Sequence, residues 1–172
     1  MKNKKEKIKL TKKNLVLKTF LISHITKEYI NWLNDKRVVK FTEQRFFKHD
    51  ESSVKKFVLK NLNSKKNYLF GIFFKKKHVG NIKLGPIDKK YKKSDISYII
   101  GKSRLWNKGI ATKSIAMISS FAFKILNLKT LRAGSYLSNI GSIKVLEKNG
   151  FVFSKYSTKN KKKIIFLVKK RN

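Results

Sequence analysis

Apolar residues recur along the chain with two periods. Runs rich in β-branched and aromatic residues lie at 14–21 (NLVLKTFL), 68–74 (YLFGIFF), 78–84 (HVGNIKL), 95–100 (DISYII), 130–137 (TLRAGSYL), 151–156 (FVFSKY) and 163–169 (KIIFLVK). Each predicts a strand. Between them the period lengthens. Residues 26–35 read as a helix with Thr26 as N-cap and Tyr29, Ile30, Trp32 and Leu33 as its apolar stripe. A second helix starts at Asp50 or Ser52 and carries Val54, Phe57, Val58 and Leu62 on one face. Residues 110–126 form the longest helical stretch, and 139–149 a short one that ends at Gly150, a natural left-handed C-cap. The remaining segments read as connections: 41–49, the Lys75–Lys77 turn, 85–94 around the only proline (Pro86), and 101–108. Residues 1–13 are a Lys-dominated lead, either frayed or added as an edge strand. With no repeat and no linker, the order β-α-α-β-β-β-α-β-α-β-β predicts one α+β domain over 14–172, a mixed sheet with helices packed on it.

Composition narrows the class. Of 172 residues 41% are apolar, including 13 Phe, 6 Tyr and 2 Trp, enough for a core. The absence of Cys excludes a disulfide scaffold, a thiolate metal site and a cysteine nucleophile. His24, His49 and His78 lie far apart in sequence without metal-ligand spacing, so no metal is expected. No apolar run approaches the ~20 residues of a membrane span, and the lead has no apolar core of a signal peptide. A soluble, cytoplasmic protein without membrane contact is the expectation.

Charge is the most unusual property: 44 Lys and Arg stand against 9 acids, a net of +35. Such a field attracts polyanions whatever the fold. Yet only Arg37, Arg45, Arg104, Arg132 and Arg171 are arginines, whereas base readout and bidentate phosphate binding favour Arg. The abundance of Lys, Ile, Asn and Phe also fits mutational bias in an AT-rich genome. Both origins predict non-specific attraction to nucleic acid.

Two segments carry candidate chemistry. Trp106-Asn-Lys-Gly-Ile-Ala-Thr112 lies between a strand and the long helix. Gly109 and Ala111 allow a ligand close to the backbone, and the amides of 107–112 point out of a helix N-terminus where an anion is favoured. Lys108 and Lys113 add charge. An ordinary loop-to-helix junction has the same composition. Downstream, Asn139 and Ser142 sit at i and i+3 at the start of the short helix, where an N-cap pair is equally served.

Taken together, in this order and spacing, the segments resemble the GNAT N-acetyltransferase superfamily. They are most similar to the branch containing the ribosomal-protein-alanine N-acetyltransferases. That branch's acyl-CoA loop reads W-G-K-G-x-A/G-T and is matched by Trp106–Thr112, with Asn107 in place of the first Gly. Its second signature, N-x-x-S-x-x-x-L-E-K-x-G-F, is met at Asn139, Ser142, Leu146, Glu147, Lys148, Gly150 and Phe151. The similarity spans about 14–170. It implies a mixed, mostly antiparallel sheet flanked by helices, and acetyl-CoA as co-substrate with no metal.

The resemblance further implies direct attack of a neutral amine on the thioester. In it, Asn107, Lys108, Gly109, Ile110, Ala111 and Thr112 hold the pyrophosphate, Tyr98, Ile99 and Ile100 bind the pantetheine arm beside a splay between central strands, and Asn139 bonds the arm from the other side. An amide of Ile99 or Ile100 polarises the carbonyl. Asp95 and then Glu43 are the candidate bases, each otherwise a surface carboxylate. Ser142 is the candidate acid toward the thiolate, by resemblance to matching serines of this branch; the tyrosine many members carry four residues later is Leu146 here, and a dedicated acid is dispensable because the thiolate is a tolerable leaving group. The 41–49 loop borders the acceptor, with Glu43, Arg45 and Phe46 (and Phe47) as contacts; Phe46 and Phe47 serve equally well as core filling. The acceptor stays open between an amino sugar, another small amine and a protein N-terminus. A catalytically inactive basic module binding RNA or the ribosome is the alternative, and a monomer or homodimer is expected. The terminal strand 163–169 is read as an exposed edge open to a second copy, although edges this Lys-rich resist pairing.

Overall fold

The computed structural model describes residues 7–159 and 161–171. Eight strands build one sheet: β1 (Lys9–Lys12), β2 (Leu15–Thr19), β3 (Tyr68–Phe74), β4 (Lys77–Asp88), β5 (Lys93–Ile100), β6 (Thr130–Tyr136), β7 (Val152–Lys159) and β8 (Lys162–Lys170). Their spatial order is β1-β2-β3-β4-β5-β6-β8-β7. Every neighbouring pair is antiparallel except β5 and β6, which run parallel. Parallel neighbours require a crossover, here α4 (Ile110–Ser120), extended by one π-helical turn, Phe121–Ile125. The remaining helices are α1 (Lys27–Asn34), α2 (Lys36–Val39), α3 (Glu51–Leu62) and α5 (Ile140–Glu147).

The helix starts follow from their caps. Thr26 accepts from the Tyr29 amide at α1, and Asp50 accepts from the Ser53 amide at α3. At the end of α5 the Phe151 amide reaches Leu146 O and the Gly150 amide reaches Glu147 O, with Gly150 at φ 75°. That is a Schellman closure, and Phe151 and Leu146 are both buried beside it. Sandwiching between helical layers explains why β3 is buried along nearly its whole length. One face of the sheet packs Leu17, Ile72, Ile82 and Ile96 against Ile115, Ile118 and Phe121 of α4 and Leu146 of α5. The other packs Phe20 and Leu69 against Tyr29, Trp32 and Leu33 of α1 and Val54 and Val58 of α3.

Of the two possibilities for the basic lead, the added edge strand holds for residues 9–12: they form β1, paired with β2, and the sheet begins before residue 14, while residues 1–6 lie outside those described. Three expectations change. The 85–94 connection shrinks to 89–92, because β4 passes Pro86 through a bulge between Leu84 and Ile87, where a missing N–H costs no ladder bond. The 41–49 segment is not all loop: Thr42 starts a 3₁₀ turn over Glu43–Phe46, and just before the segment Asp35 caps the short α2 through the Arg37 amide. Finally, the 163–169 strand is not an edge. β8 lies between β6 and β7 with Ile165 and Leu167 buried, and β7, exposed throughout, is the border strand. Among the described residues no helix is long and apolar enough to cross a membrane.

Candidate active site

The sheet parts at its centre. β5 and β6 pair only at Lys93–Thr130, Ser94–Leu131 and Asp95–Arg132, after which Ile96–Ile100 and Ala133–Tyr136 diverge. The gap opens into a cavity of about 1510 Å³ that reaches both faces of the sheet. The backbone edge of β5 beyond Asp95 therefore faces the cavity without a strand beside it, and Tyr98, Ile99 and Ile100 all line it.

On the α4 side the cavity meets an unfilled anion cradle. Asn107 (φ 59°) and Gly109 (φ 73°) are both left-handed, which turns the chain sharply into α4. No side chain caps this helix. Its first internal amide bond is Lys113 N to Gly109 O at 3.0 Å, so the amides of Ile110, Ala111 and Thr112 point outward. A Cβ built on Gly109 meets nothing within 4 Å. The glycine is thus required by its φ, while the space above it is open for a ligand. Trp106 anchors the loop by donating from Nε1 to Ile100 O at 2.8 Å. Asn107, Gly109, Ile110, Ala111 and Thr112 line the cavity; Lys108 is exposed beside it.

Opposite this loop, Asn139 caps α5 by accepting from the Ser142 amide at 3.3 Å. The cap was one of the two readings of the pair, and it leaves Asn139 Nδ2 without an acceptor among the described residues. Ser142 Oγ lies 2.9 Å from the Tyr98 hydroxyl. Burial raises the Tyr98 phenol, which favours its neutral, proton-bearing form.

The far mouth is built by the 3₁₀ turn and the end of β6. Tyr136 donates to Glu43 Oε1 at 2.8 Å, and Lys159 donates to Glu43 Oε2 at 2.6 Å. These two bonds, Lys159's foremost, hold the Glu43 carboxyl below its usual range, so it is ionised at neutral pH. Burial, then the bond to Glu43, pushes the Tyr136 phenol up. Arg45 donates to the Tyr136 hydroxyl at 3.0 Å, and its guanidinium lies 4.6 Å from the ring centres of both Phe46 and Tyr136. Arg45 and Phe46 brace this network from outside the cavity; of the adjacent pair it is Phe47 that lines it. Neither ring fills the core, since Phe46 and Phe47 are 53% and 65% exposed.

Asp95 does not join the group. Arg132 holds both its oxygens, at 2.8 and 2.9 Å, and the pair sits where β5 and β6 are still joined, outside the large cavity. The physical reason is register: parallel pairing sets Arg132 directly beside Asp95. Tyr136 escaped sequence reading, because its partner Glu43 is 93 residues away and nothing local to β6 marks it. The one available signal was strand period, which puts Tyr136 on the same face as Arg132 and Gly134. His24 and His78, remote in sequence, share an aromatic cluster with Phe20 and Phe73.

Comparison with known proteins agrees with this geometry. The acetyltransferase (GNAT) domain profile matches residues 14–152. The Probable N-acetyltransferase YjcK of Bacillus subtilis is 33% identical over 104 residues, 59% of this chain and 57% of that protein, so the match spans little over half of the relative. Among solved structures, the RimL ribosomal L7/L12 alpha-N-protein acetyltransferase in complex with Coenzyme A superposes with TM-score 0.84 at 15% identity, covering 96% of this chain and 98% of that one. The Microcin C7 self immunity acetyltransferase MccE, in complex with Acetyl-CoA and AMP, gives 0.81 at 17% identity over 93% and 94%. The spermidine N-acetyltransferase of Vibrio cholerae, in complex with CoA and spermine, gives 0.80 at 16% over 92% and 96%. At such identities the structures share the fold, while the domain profile covers most of the chain: it belongs to the GNAT acetyltransferase family.

Proposed function

We propose that the chain is an N-acetyltransferase that moves the acetyl group of acetyl-CoA to a primary amine by direct attack. The observation that carries this reading is the parting of β5 and β6 after three residue pairs, with the open N-terminus of α4 at one mouth and the Glu43–Tyr136 pair at the other. The residues present fit the cofactor. The amides of 110–112 receive the pyrophosphate, with Lys108 and Lys113 adding charge, and the free edge of Tyr98–Ile100 receives the amides of the pantetheine arm. Asn139 Nδ2 is free to donate to the arm from the opposite side. The thioester then lies in the gap.

An acceptor arriving as an ammonium on the Glu43 side loses a proton to that carboxylate, directly or through one water, and becomes the neutral nucleophile. Its nitrogen attacks the carbonyl carbon, the oxygen gains charge under an Ile99 or Ile100 amide, and the C–S bond breaks. The thiolate takes the second proton, which the acylated nitrogen sheds, passed on through water in the gap and Ser142 Oγ, so that the Ser142 and Tyr98 hydroxyls both end protonated. Asp95, tied to Arg132 outside the cavity, has no part in this scheme. The cytoplasm is the proposed location.

Calorimetry tests the reading. Acetyl-CoA should bind at one site far more tightly than ADP at moderate salt, ADP controlling for attraction by the net charge. Thiol release is then read with a disulfide dye, a clean signal because the chain has no Cys of its own. Equal, weak and steeply salt-dependent binding of both ligands refutes the enzyme and leaves a basic binding module.

A further inference from the structure

A second hollow of about 270 Å³ adjoins the main cavity and shares Lys83, Ile96, Ser97, Gly134 and Phe166 with it. It continues down the acceptor face of the sheet toward the point where β5 and β6 join. Its charges do not cancel. Arg132 is neutralised by the bidentate Asp95 contact. Lys83, opposite Ser97 in the β4–β5 register and partly buried, has no hydrogen-bond or ion-pair partner among the described residues. Ser97 Oγ is likewise free. The wall is apolar and flat: the Phe166 ring lies against Gly134, where a Cβ would approach it to 3.0 Å, and Arg132 stacks over the same ring at 5.5 Å.

Resting on the acetyltransferase reading above, we infer that this hollow is a distal acceptor subsite, and that it selects an amine carrying an anionic group, with Lys83 as the counter-charge. A strand advances about 3.3 Å per residue, so the stretch of β5 from Ile99 back to Ser97 and Asp95 places that group about 7–13 Å from the reacting nitrogen. A phosphate or a carboxylate meets the requirement, held by the Lys83 ammonium and the Ser97 hydroxyl with the acceptor's body against Phe166. A polyamine, cationic along its length, is disfavoured by the same unpaired lysine.

The net charge attracts any anion, so the test compares variants that remove one charge each. Initial rates of thiol release are measured at 0.15 M salt (about physiological) for two matched acceptor pairs. These are a hexosamine 6-phosphate against the hexosamine, and a peptide amide with Asp third against the same peptide with Asn third. The pairs separate a phosphate source from a carboxylate source. In the wild type the anionic member of at least one pair should lead in kcat/KM. Lys83→Met should raise KM for that member about tenfold, the worth of one modest charge-assisted contact, and leave its neutral twin unchanged. Lys60→Met, on the outer side of α3, should change neither. Asp95→Asn, which frees Arg132, should lower KM for the anionic member. The proposal falls if neither pair shows a preference, if Lys83→Met shifts both members alike, or if Lys60→Met acts as Lys83→Met does. Tight acetyl-CoA binding with no turnover of any of the four probes refutes the subsite and spares the cofactor site; failure to bind acetyl-CoA refutes both.

Discussion

Acidification from pH 7 to pH 4 should destabilise the fold through His78 in particular. Its imidazole is walled by Phe20, Tyr29, Trp32 and Phe73, with ring centres 4.9 to 5.5 Å away. Nε2 lies 2.9 Å from Gly80 O and 3.1 Å from Asn81 Oδ1, both acceptors, so Nε2 carries the proton of the neutral ring. Nδ1 is buried with no hydrogen-bond partner among the described residues. A second proton would be placed there without an acceptor, and burial accordingly lowers the pKa from 6.5 to about 4. A base whose folded pKa is depressed contributes stability above its unfolded pKa. That contribution begins to fade near pH 6.5, as the unfolded chain takes up protons, and is gone once pH falls through about 4. At about 1.4 kcal/mol per pH unit, the interval corresponds to about 3 kcal/mol, a large share of a domain's 5–15 kcal/mol. Urea unfolding of the wild type and of His78→Gln between pH 7 and pH 4 measures it. Gln keeps a donor for Gly80 O and removes the titration. Its stability should start lower at pH 7 and then fall about 3 kcal/mol less. His24, lowered by burial and then by Lys18, and the carboxylates act alike in both proteins and cancel in the difference. Parallel stability curves would refute the argument, as would a nuclear magnetic resonance titration placing the His78 midpoint near 6.5.

Gly109→Glu should abolish measurable acetyl-CoA binding in calorimetry, with a stability cost of about 1–2 kcal/mol from φ 73°, whereas Gly109→Asn, which tolerates that φ, should bind far better than Glu. Tyr136→Phe removes one of the two donors that keep Glu43 ionised. The acid limb of its kcat profile should move to higher pH and kcat should drop roughly tenfold to a hundredfold, while acetyl-CoA affinity holds; an unshifted profile would separate Glu43 from proton transfer. Ser142→Ala should lower kcat more than the KM for acetyl-CoA, and a purely capping role for the segment predicts instead that only Asn139→Ala, at about 1 kcal/mol, changes stability.

Local grammar made much of this molecule readable in advance. Thr26 and Asp50 announce helices because a side-chain oxygen capping an amide three residues on is a short-range event, and Gly150 announces the end of α5 for the same reason. The loop at 106–112 and the Asn139–Ser142 pair were legible because each is a contiguous segment. What stayed hidden depends on which strands become neighbours. Asp95 looks available until β6 is placed parallel to β5 and brings Arg132 to it. Glu43 looks solvated until Tyr136 and Lys159 arrive from 93 and 116 residues away. The 163–169 run looks terminal and therefore peripheral, yet its buried Ile165 and Leu167 belong to a strand between two others. Pro86 reads as a break, and a bulge absorbs it.

The parting of β5 from β6 also divides the sheet mechanically. Five strands lie on one side of the seam and three on the other, and three residue pairs bridge them. Over the rest of the seam the two halves are joined by the helical layer of α4 and α5 packed across them and by the bonds of Glu43 and Arg45 to Tyr136 and of Glu43 to Lys159. A ligand lying in the gap takes the position of the missing strand, supplying backbone partners that no segment among the described residues provides. Occupancy should therefore weld two semi-independent blocks into one unit. Amides flanking the seam would exchange with solvent through local opening in the empty protein and only through global unfolding in the loaded one.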